Sequence, residues 1–417
     1  MSSSYRRSPL LAAGCACLGL MAGMAGAARA EIAPSFEELV EQIDRTPSSQ
    51  LATALKEAAD ARVRQAAVRP NPVVGIETDN VLGSGPYSGF SNSETTLSVS
   101  QNLELWGRRP ARVGAARAEA GAAALRRDVM LADSIGRLAS AYVQAEAAQR
   151  RYELAEETLE LTLADTLASQ IQVEEGLQPR LRGIQAESAA AAAKASRDEV
   201  LAEMEAAFAQ LTVTAMLPAP VTGIEAGLLD RKVSGRGADD VEVPAIQVAE
   251  AERLTAERRI TLERSLGRPD ITANFGVRQS QLDNATALTF GFSLPLPLFD
   301  QNRGNIQAAE AELRASTARL EATRQETRAA REAAVARMNA SDSRVAAADA
   351  GVESADEAYR LSRIGFDTGR ISQLELLSSR AALVSARTAA VDARQTRAEA
   401  EIELARLEGR IPFGGTN

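Results

Sequence analysis

One pattern occurs twice in this 417-residue chain, and the duplication limits the folds that the chain can adopt. The run Ser100-Gln-Asn-Leu-Glu-Leu-Trp106 resembles Ser293-Leu-Pro-Leu-Pro-Leu-Phe299 at an offset of 193 residues. Gly176 and Gly369, each of which precedes a helix-like stretch, are separated by the same 193 residues. Landmarks that keep one spacing over so long a stretch indicate an internal repeat. We therefore expect two copies of one structural unit.

The first copy is longer than the second in one place. Arg69-Pro70 matches Arg268-Pro269 at an offset of 199 residues, six more than the offset found further along the chain. The extra residues fit best in the segment 83–92, which is rich in glycine and serine. Because such segments form surface loops, a loop is predicted there.

Residues 1–30 have the pattern of a secretory signal peptide. Arg6 and Arg7 precede an apolar stretch, and Ala28-Arg29-Ala30 has the small-x-small form of a cleavage site. A lipoprotein signal is the alternative, with Ala12-Ala13-Gly14 before Cys15. Only about six apolar residues would then precede the cysteine, fewer than the ~7–15 of a typical apolar region. Both interpretations predict export from the cytoplasm.

Composition excludes several classes of function. The chain has no histidine, and its two cysteines, Cys15 and Cys17, lie within the signal segment, so thiolate and imidazole chemistry are excluded from the mature chain. Without that segment the formal charge is −12, from 44 basic and 56 acidic residues, which argues against nucleic-acid binding. The sequence has no nucleophile–base set, metal-ligand cluster or phosphate loop. It therefore predicts neither an enzyme nor a bound cofactor or metal.

Each unit is predicted to begin with a helix, at 49–67 and 245–266, followed by two strands. Apolar and polar residues alternate at 94–105, 270–279 and 286–298. Alternation over about ten residues is typical of a strand with one apolar face, and this length suits a tilted membrane-spanning strand. No apolar run after residue 30 reaches the ~20 residues of a transmembrane helix, so a membrane location would depend on these strands. An ordinary sandwich or barrel strand with a buried apolar face is the alternative.

A long stretch rich in alanine, glutamate and arginine follows each pair of strands. The first begins at Pro110, a favourable first helical residue, and ends near 175, and the second covers about 305–363. At ~1.5 Å per residue, each would form a rod of roughly 90 Å. Shorter helices are predicted to return at 178–212 and 371–408, and the second has an apolar residue every seven positions, as in supercoiled helix pairs. Taken alone, the helices fit a soluble antiparallel coiled coil equally well.

The predicted elements divide the chain into a first unit at 31–217, a linker rich in proline and glycine at 218–244, and a second unit at 245–417. Two units supply four long strands. Four strands cannot close a barrel, and lipid does not tolerate an open sheet edge. Closure would then need several chains. Three copies would give about 12 strands, which is enough for a membrane barrel, although the strand pattern does not exclude two or four copies.

The chain resembles the TolC family of outer-membrane efflux proteins over nearly all of its mature sequence. The resemblance rests on the order and spacing of the duplicated strand–strand–helix–helix unit, on the run 293–306, and on the segment 359–377. The sequence Leu296-Pro-Leu-Phe-Asp-Gln-Asn-Arg-Gly304 is most similar to the cobalt-zinc-cadmium branch of the family, which serves heavy-metal exporters.

The resemblance implies a mainly α fold with a β-barrel part. Three chains would form a 12-stranded barrel in the outer membrane of a Gram-negative cell, continued in the periplasm by an α-helical coiled-coil tunnel. The implied partners are a periplasmic membrane-fusion adaptor, an inner-membrane pump of the resistance-nodulation-division type, and outer-membrane lipid. The implied function is passive export of heavy-metal cations or other small toxic compounds.

The resemblance also implies roles for particular residues. In the family, glycine-centred turns at the periplasmic tips receive the adaptor, although each glycine would in any case serve a tight turn. The matching residues here are Gly176, Leu177, Gln178, Gly369, Arg370 and Ile371. The family closes its tunnel with acidic rings near the tip, and Glu375 occupies such a position, whereas Ser378 replaces the second acid.

Two further site hypotheses follow from the repeat. At the offset of 193, Glu375 corresponds to Arg182, which suggests a closing ion pair between the tips. The alternative is that Glu375 is a solvated charge of a coiled coil. Trp106 and Phe299 each end a second strand, where they would be aromatic anchors at the membrane rim or would pack at the strand-to-helix bend.

Two other functions remain open at this stage. One is an outer-membrane duct for a type I protein-secretion system, which would share the fold. The other is a periplasmic coiled-coil scaffold without a channel, which would be soluble without detergent.

Overall fold

The computed structural model describes residues 31–225, 227–231 and 243–414. The predicted signal peptide and Cys15 lie outside the described residues. The described part is mainly helical. None of its helices combines the length and the apolar character that crossing a membrane requires.

The order of elements in the structure repeats, with a helix, two strands and two long helices in each unit. The helices are α1 (Phe36–Glu41), α2 (Pro47–Ala67), α3 (Arg108–Glu174), α4 (Arg180–Thr214), α5 (Pro244–Leu266), α6 (Arg303–Asp367) and α7 (Gln373–Glu408). The strands are β1 (Glu31–Ile32), β2 (Val73–Asp79), β3 (Glu94–Leu103), β4 (Val221–Gly223), β5 (Ile271–Ser280) and β6 (Ala285–Ser293). Short 3-10 turns cover Ile43–Arg45 and Gly85–Tyr87, the second within the predicted loop 83–92.

The two longest helices form the axis of the molecule. α3 has 67 residues and α6 has 65, so each is about 100 Å long. α4 packs against α3, and α7 packs against α6, which gives two antiparallel hairpins. α3 also contacts α2, α5 and α7, and it therefore joins the two units.

Two predicted boundaries were wrong in detail. α3 begins at Arg108, directly after Gly107 with its φ of 77°, so Pro110 is the third helical residue and not the first. β6 ends at Ser293 and not at 298, because Pro295 and Pro297 have no N–H group to donate to a sheet.

The four long strands form one antiparallel sheet in the order β2–β3–β5–β6. The central pair, β3 and β5, comes from different units, and Val99 lies opposite Phe275 across it. β2 and β6 form the two edges, and within the described chain neither has a partner strand on its outer side.

The segment predicted as a linker contributes to the core where the structure describes it. β4 pairs in parallel with β1, and Leu228 and Leu229 are fully buried beside the middle of α3. Phe36 and Tyr142 belong to the same cluster, with their ring centroids 6.3 Å apart. Burial of a large aliphatic side chain is worth about 1.5–3 kcal/mol, so the apolar residues of this segment fix it against α3 despite its loop-like composition.

Candidate functional site

The four-stranded sheet has an apolar face that its own chain leaves uncovered. Phe275 and Phe290 lie opposite each other near its centre, with ring centroids 5.1 Å apart. The other large side chains of this face are Val74, Ile76, Leu97, Val99, Val277, Leu288 and Phe292. These side chains are between 38% and 78% exposed. An apolar surface of this extent marks contact with lipid or with another protein.

The opposite face of the sheet is polar. Arg278 donates to the Thr96 hydroxyl at 3.0 Å and forms an ion pair with Glu94 at 3.2 Å. A Cβ atom at Gly276 would lie 2.7 Å from the Thr289 hydroxyl oxygen, so only glycine fits there. One apolar and one polar face suit a wall between lipid and water.

Glycine-centred turns join the helices of each hairpin. Gly176 has a φ of 73° and Gly369 a φ of 71°, values that residues with a Cβ atom rarely adopt. The Leu177 N–H donates to the Gln172 carbonyl, and the Arg370 N–H donates to the Gly365 carbonyl, both at 2.8 Å. These bonds close the ends of α3 and α6 in the Schellman manner. The turns explain both glycines, and the docking role remains a prediction.

The surface of the two turns is partly apolar. Leu177 is 69% exposed and Leu374 is 70% exposed, while Gln178 and Arg370 are also exposed. Ile371 is half-buried. The exposed leucines offer a partner apolar contacts at this end of the molecule.

Glu375 is an exposed residue in the first turn of α7 and caps that helix. Its carboxylate accepts hydrogen bonds from the Ser372 N–H at 2.8 Å and from the Ser372 hydroxyl at 3.0 Å. The Ser372 backbone N–H, followed by the hydroxyl, holds the pKa of the Glu375 carboxyl below its usual value. Glu375 is therefore ionised at neutral pH. Within the described part of one chain it forms no ion pair with Arg182, which is half-buried near the start of α4.

Three arginines at seven-residue intervals on α7 link it to the neighbouring long helices. Arg380 pairs with Asp165 of α3, and Arg387 pairs with Glu157 of α3 at 3.2 Å. Further pairs join Arg387 to Asp356 at 3.5 Å, Arg394 to Asp349 at 2.7 Å, and Arg151 of α3 to Asp392 at 2.7 Å. We call Arg380, Arg387 and Arg394 the linking arginines. Asp165 precedes Gly176 by 11 residues, and Arg380 follows Gly369 by 11 residues. Because Asp165 and Arg380 pair with each other, both turns lie at the same end of the molecule.

The linking arginines were not predicted from the sequence. The linking arginines recur every seven residues, as the apolar residues of α7 do. This shared spacing is the sequence pattern from which they could have been predicted. In the part of the chain that the structure describes, no group of three or more acidic, histidine or cysteine side chains could hold a metal ion.

A buried carboxylate organises the middle of the molecule. Glu146 of α3 is 4% exposed, and it accepts hydrogen bonds from the backbone N–H groups of Leu228 at 2.6 Å and Leu229 at 3.1 Å. Arg150 pairs with Glu146 at 2.6 Å and with Asp230 at 2.7 Å. The Arg150 hydrogen bond holds the pKa of Asp230 below its usual value, against the opposing effect of burial. Asp230 in turn pairs with the linking arginine Arg394 at 3.1 Å, so this centre joins both hairpins.

Trp106 and Phe299 lie where strands bend into helices. Trp106 has a φ of 60°, and its indole N–H donates to the Pro269 carbonyl at 3.2 Å, which connects the two units below the sheet. It is 57% exposed, and Phe299 is 99% exposed. Both rings are thus available at the surface just below the strands.

The sequence matches the model of the outer membrane efflux protein family at residues 39–216 and 241–410. It is 33% identical over 303 residues to the nickel-cobalt-cadmium resistance protein NccC of Alcaligenes xylosoxydans xylosoxydans, a match that covers 72% of this chain and 69% of that protein. It is 34% identical over 280 residues to the nickel and cobalt resistance protein CnrC of Cupriavidus metallidurans, which covers 66% and 67% respectively.

Solved structures have the same fold. The CusC structure superposes with a TM-score of 0.76 at 20% identity, covering 90% of this chain and 92% of CusC. The MtrE outer membrane channel of Neisseria gonorrhoeae, in its open state, gives 0.74 at 23% identity, covering 90% and 89%. The fold is that of the TolC-like outer-membrane channels, which confirms the resemblance drawn from the sequence. With two family-matched segments that cover most of its length, the chain belongs to the outer membrane efflux protein family.

Proposed function

We propose that this outer-membrane efflux protein works as a homotrimer and forms the passive duct of a tripartite heavy-metal efflux pump. The uncovered apolar face of the sheet is the observation that supports this most strongly. Its large side chains stay 38% to 78% exposed in the single chain, and lipid would cover them. The polar face, with Arg278 and Glu94, would then face water inside the duct.

Trimerisation would supply partners for the two sheet edges. β6 of one chain would pair with β2 of the next, and three sheets of four strands would close a 12-stranded barrel. The units 31–217 and 245–417 would then alternate around the ring, with segment 218–244 forming an equatorial belt. The long helices would form the periplasmic tunnel below.

The names of the relatives are the basis for the cargo that we propose. NccC is named for resistance to nickel, cobalt and cadmium, and CnrC for resistance to nickel and cobalt. These names favour metal cations over the protein cargo of a type I secretion system. A membrane-fusion adaptor would dock at the two turns through Gly176, Leu177, Gln178, Gly369, Arg370 and Ile371. The pump behind it would be of the resistance-nodulation-division type, with metal selectivity residing there.

Deletion of the gene tests this proposal. We expect the deletion strain to stop growing at nickel, cobalt or cadmium concentrations that the parent tolerates, and a plasmid copy to restore growth. Zinc, copper and common antibiotics serve as comparison compounds in the same plate assay. Unchanged metal tolerance together with new sensitivity to antibiotics would show that the cargo is not a metal.

We further propose that Glu375 forms part of the periplasmic gate. Three ionised copies around the tunnel axis would favour cations and would repel one another when the tunnel narrows. Arg182 of a neighbouring chain would relieve that repulsion in the closed state. Trp106 and Phe299 would anchor the barrel at the membrane rim, since exposed aromatic rings are enriched at that depth.

Glu375→Gln is expected to reduce cation selectivity and to raise the open probability of the channel in planar bilayers. Glutamine preserves the helix cap, since it can accept the same bond from Ser372, so the change removes only the charge. Glu326→Gln, an exposed position on α6 far from the turns, is the control. Single-channel conductance and reversal potentials that match those of the parent would rule out the gate assignment.

The linking arginines are expected to favour the closed tunnel. Exposed ion pairs contribute about 0.2–1 kcal/mol each, so losing the two pairs that Arg380 and Arg387 form with α3 would shift the closed-to-open ratio roughly two- to thirtyfold. Single-channel recording of Arg380→Gln/Arg387→Gln measures this shift.

Arg360→Gln is the control, because the ion pair of Arg360 among the described residues is with Glu357 of its own helix. An open probability that is the same in the double variant and the control would show that the α3–α7 pairs do not restrain the tunnel.

A further inference from the structure

Two pockets lined by arginine side chains lie below the sheet, one between the two units and one within the first unit. The first has a volume of about 480 Å³ and lies between the first turns of α3 and the last turns of α5. Arg258, Arg264 and Arg268 line it together with Trp106, and no acidic residue does. The small residues Gly107, Pro110, Ala111 and Gly114 leave space beside α3.

The second pocket lies within the first unit, between the end of α2 and the start of α3. It has a volume of about 550 Å³, and Arg62, Arg69 and Arg112 line it, again without an acidic residue. Arg69 and Arg268 are the two copies of one position, since each precedes the proline that leads into a strand. The duplication has therefore kept an arginine at this position of both units, and each copy lines one of the two pockets.

Most of these arginines lack an acidic partner. Arg264 pairs with Glu310 at 2.8 Å, and Arg112 pairs with Glu104. Arg62, Arg69, Arg258 and Arg268 are exposed and form no ion pair with any described residue. The chain has 56 acidic residues and 47 basic ones, so acid-free arginine pockets do not follow from composition. Their chemistry fits an anion, and the planar guanidinium group pairs well with phosphate.

The pockets reach the periplasmic edge of the lipid headgroup layer. Arg69 precedes β2 by four residues and Arg268 precedes β5 by three, which is about 10–13 Å along the strand direction at ~3.3 Å per residue. For strands tilted by about 35–45°, this is about 7–11 Å along the membrane normal. The headgroup region of each leaflet is roughly 5–7 Å thick and begins where the hydrocarbon ends, so Arg69 and Arg268 lie at its outer edge. Trp106, whose indole bonds to Pro269, lies at the same level.

We propose that the two pockets bind the phosphate groups of acidic phospholipids, namely phosphatidylglycerol or cardiolipin, in the inner leaflet of the outer membrane. The proposal rests on the proposed function, because the sheet must lie in the membrane for the pockets to meet that leaflet. Two or three guanidinium groups around one pocket provide charge-assisted bonds for a phosphate that a zwitterionic lipid would share with its own amine.

Native mass spectrometry of the full-length protein in detergent tests the proposal, with cardiolipin, phosphatidylglycerol and phosphatidylethanolamine titrated separately. We expect the acidic lipids to be retained more tightly. Arg258→Gln/Arg268→Gln and Arg62→Gln/Arg69→Gln should each weaken cardiolipin binding about 25-fold, from roughly fivefold per arginine. Arg337→Gln/Arg344→Gln is the control, because both arginines are exposed on α6 about 50–60 Å from its start, and their replacement removes the same amount of charge.

Several outcomes would overturn the proposal. Equal retention of phosphatidylethanolamine, or equal losses in the control, would show that the pockets do not select acidic lipid. Displacement of cardiolipin by inorganic phosphate at comparable concentrations would make them anion sites rather than lipid sites. Loss of trimers in the pocket variants alone would assign the arginines to the subunit interface. If the parent protein itself fails to insert into vesicles, the proposed duct is wrong, whereas insertion without lipid preference removes only this inference.

Discussion

Phe290→Arg is expected to abolish assembly of the protein in the outer membrane. Phe290 is 74% exposed on the apolar face and lies opposite Phe275 near the middle of the sheet. An arginine on the lipid side at the membrane midplane costs about 2–4 kcal/mol, and a trimer would meet this cost three times. Cell fractionation, together with gel migration of unheated samples, measures the loss of membrane-inserted trimer.

Asn274→Arg is the matched control for the apolar face. Asn274 lies on the polar face of the neighbouring strand, opposite Gly291, where an added charge would meet water inside the barrel. The control should assemble like the parent and preserve metal resistance. Equal assembly of the two variants would mean that the apolar face does not contact lipid.

Glu146→Ala is expected to lower the free energy of unfolding by about 3–5 kcal/mol, the usual cost of breaking a buried and hydrogen-bonded ion pair. The substitution would leave the buried N–H groups of Leu228 and Leu229 without an acceptor. Arg150 would keep only Asp230 as a partner. Denaturant unfolding measures the change, and limited proteolysis of the segment 218–231 locates it.

Glu153→Ala on the same helix is the control for the buried carboxylate. Glu153 is exposed and accepts a bond from Gln149 at 2.9 Å, so its loss should cost less than about 1 kcal/mol. A Glu146→Ala protein as stable as this control would show that the segment 218–231 of the predicted linker is held by its apolar residues alone.

The repeat made much of the architecture predictable from sequence. Alternation identified β3, β5 and β6, and the long alanine-rich stretches identified α3 and α6, because local periodicity determines these elements. The glycine turns were also predictable, since a φ above zero favours glycine at Gly176 and Gly369. The exact ends of the helices and strands were less predictable: α3 begins two residues before Pro110, and β6 ends before the prolines that follow it.

Contacts between distant segments could not be predicted in the same way. Glu146 meets Leu228 across 82 residues, and Arg380 meets Asp165 across 215. No local pattern marks such a pair, because each side chain alone resembles an ordinary surface or helix residue. The composition of the predicted linker was misleading for the same reason. Its glycines and prolines indicate a loop, whereas the burial of its leucines depends on which helix passes beside it. The arginine pockets likewise depend on how α2 and α5 pack against the start of α3.

The order of the sheet also bears on how the protein reaches its membrane. Each chain completes three strand pairings alone, and in the proposed trimer one further pairing would be left to a neighbour. A newly exported copy would cross the periplasm with two unpaired strand edges and an exposed apolar sheet face, a combination that is prone to aggregation. Holdase chaperones would need to shield that sheet until three copies meet, which makes encounter between copies a concentration-dependent step in biogenesis.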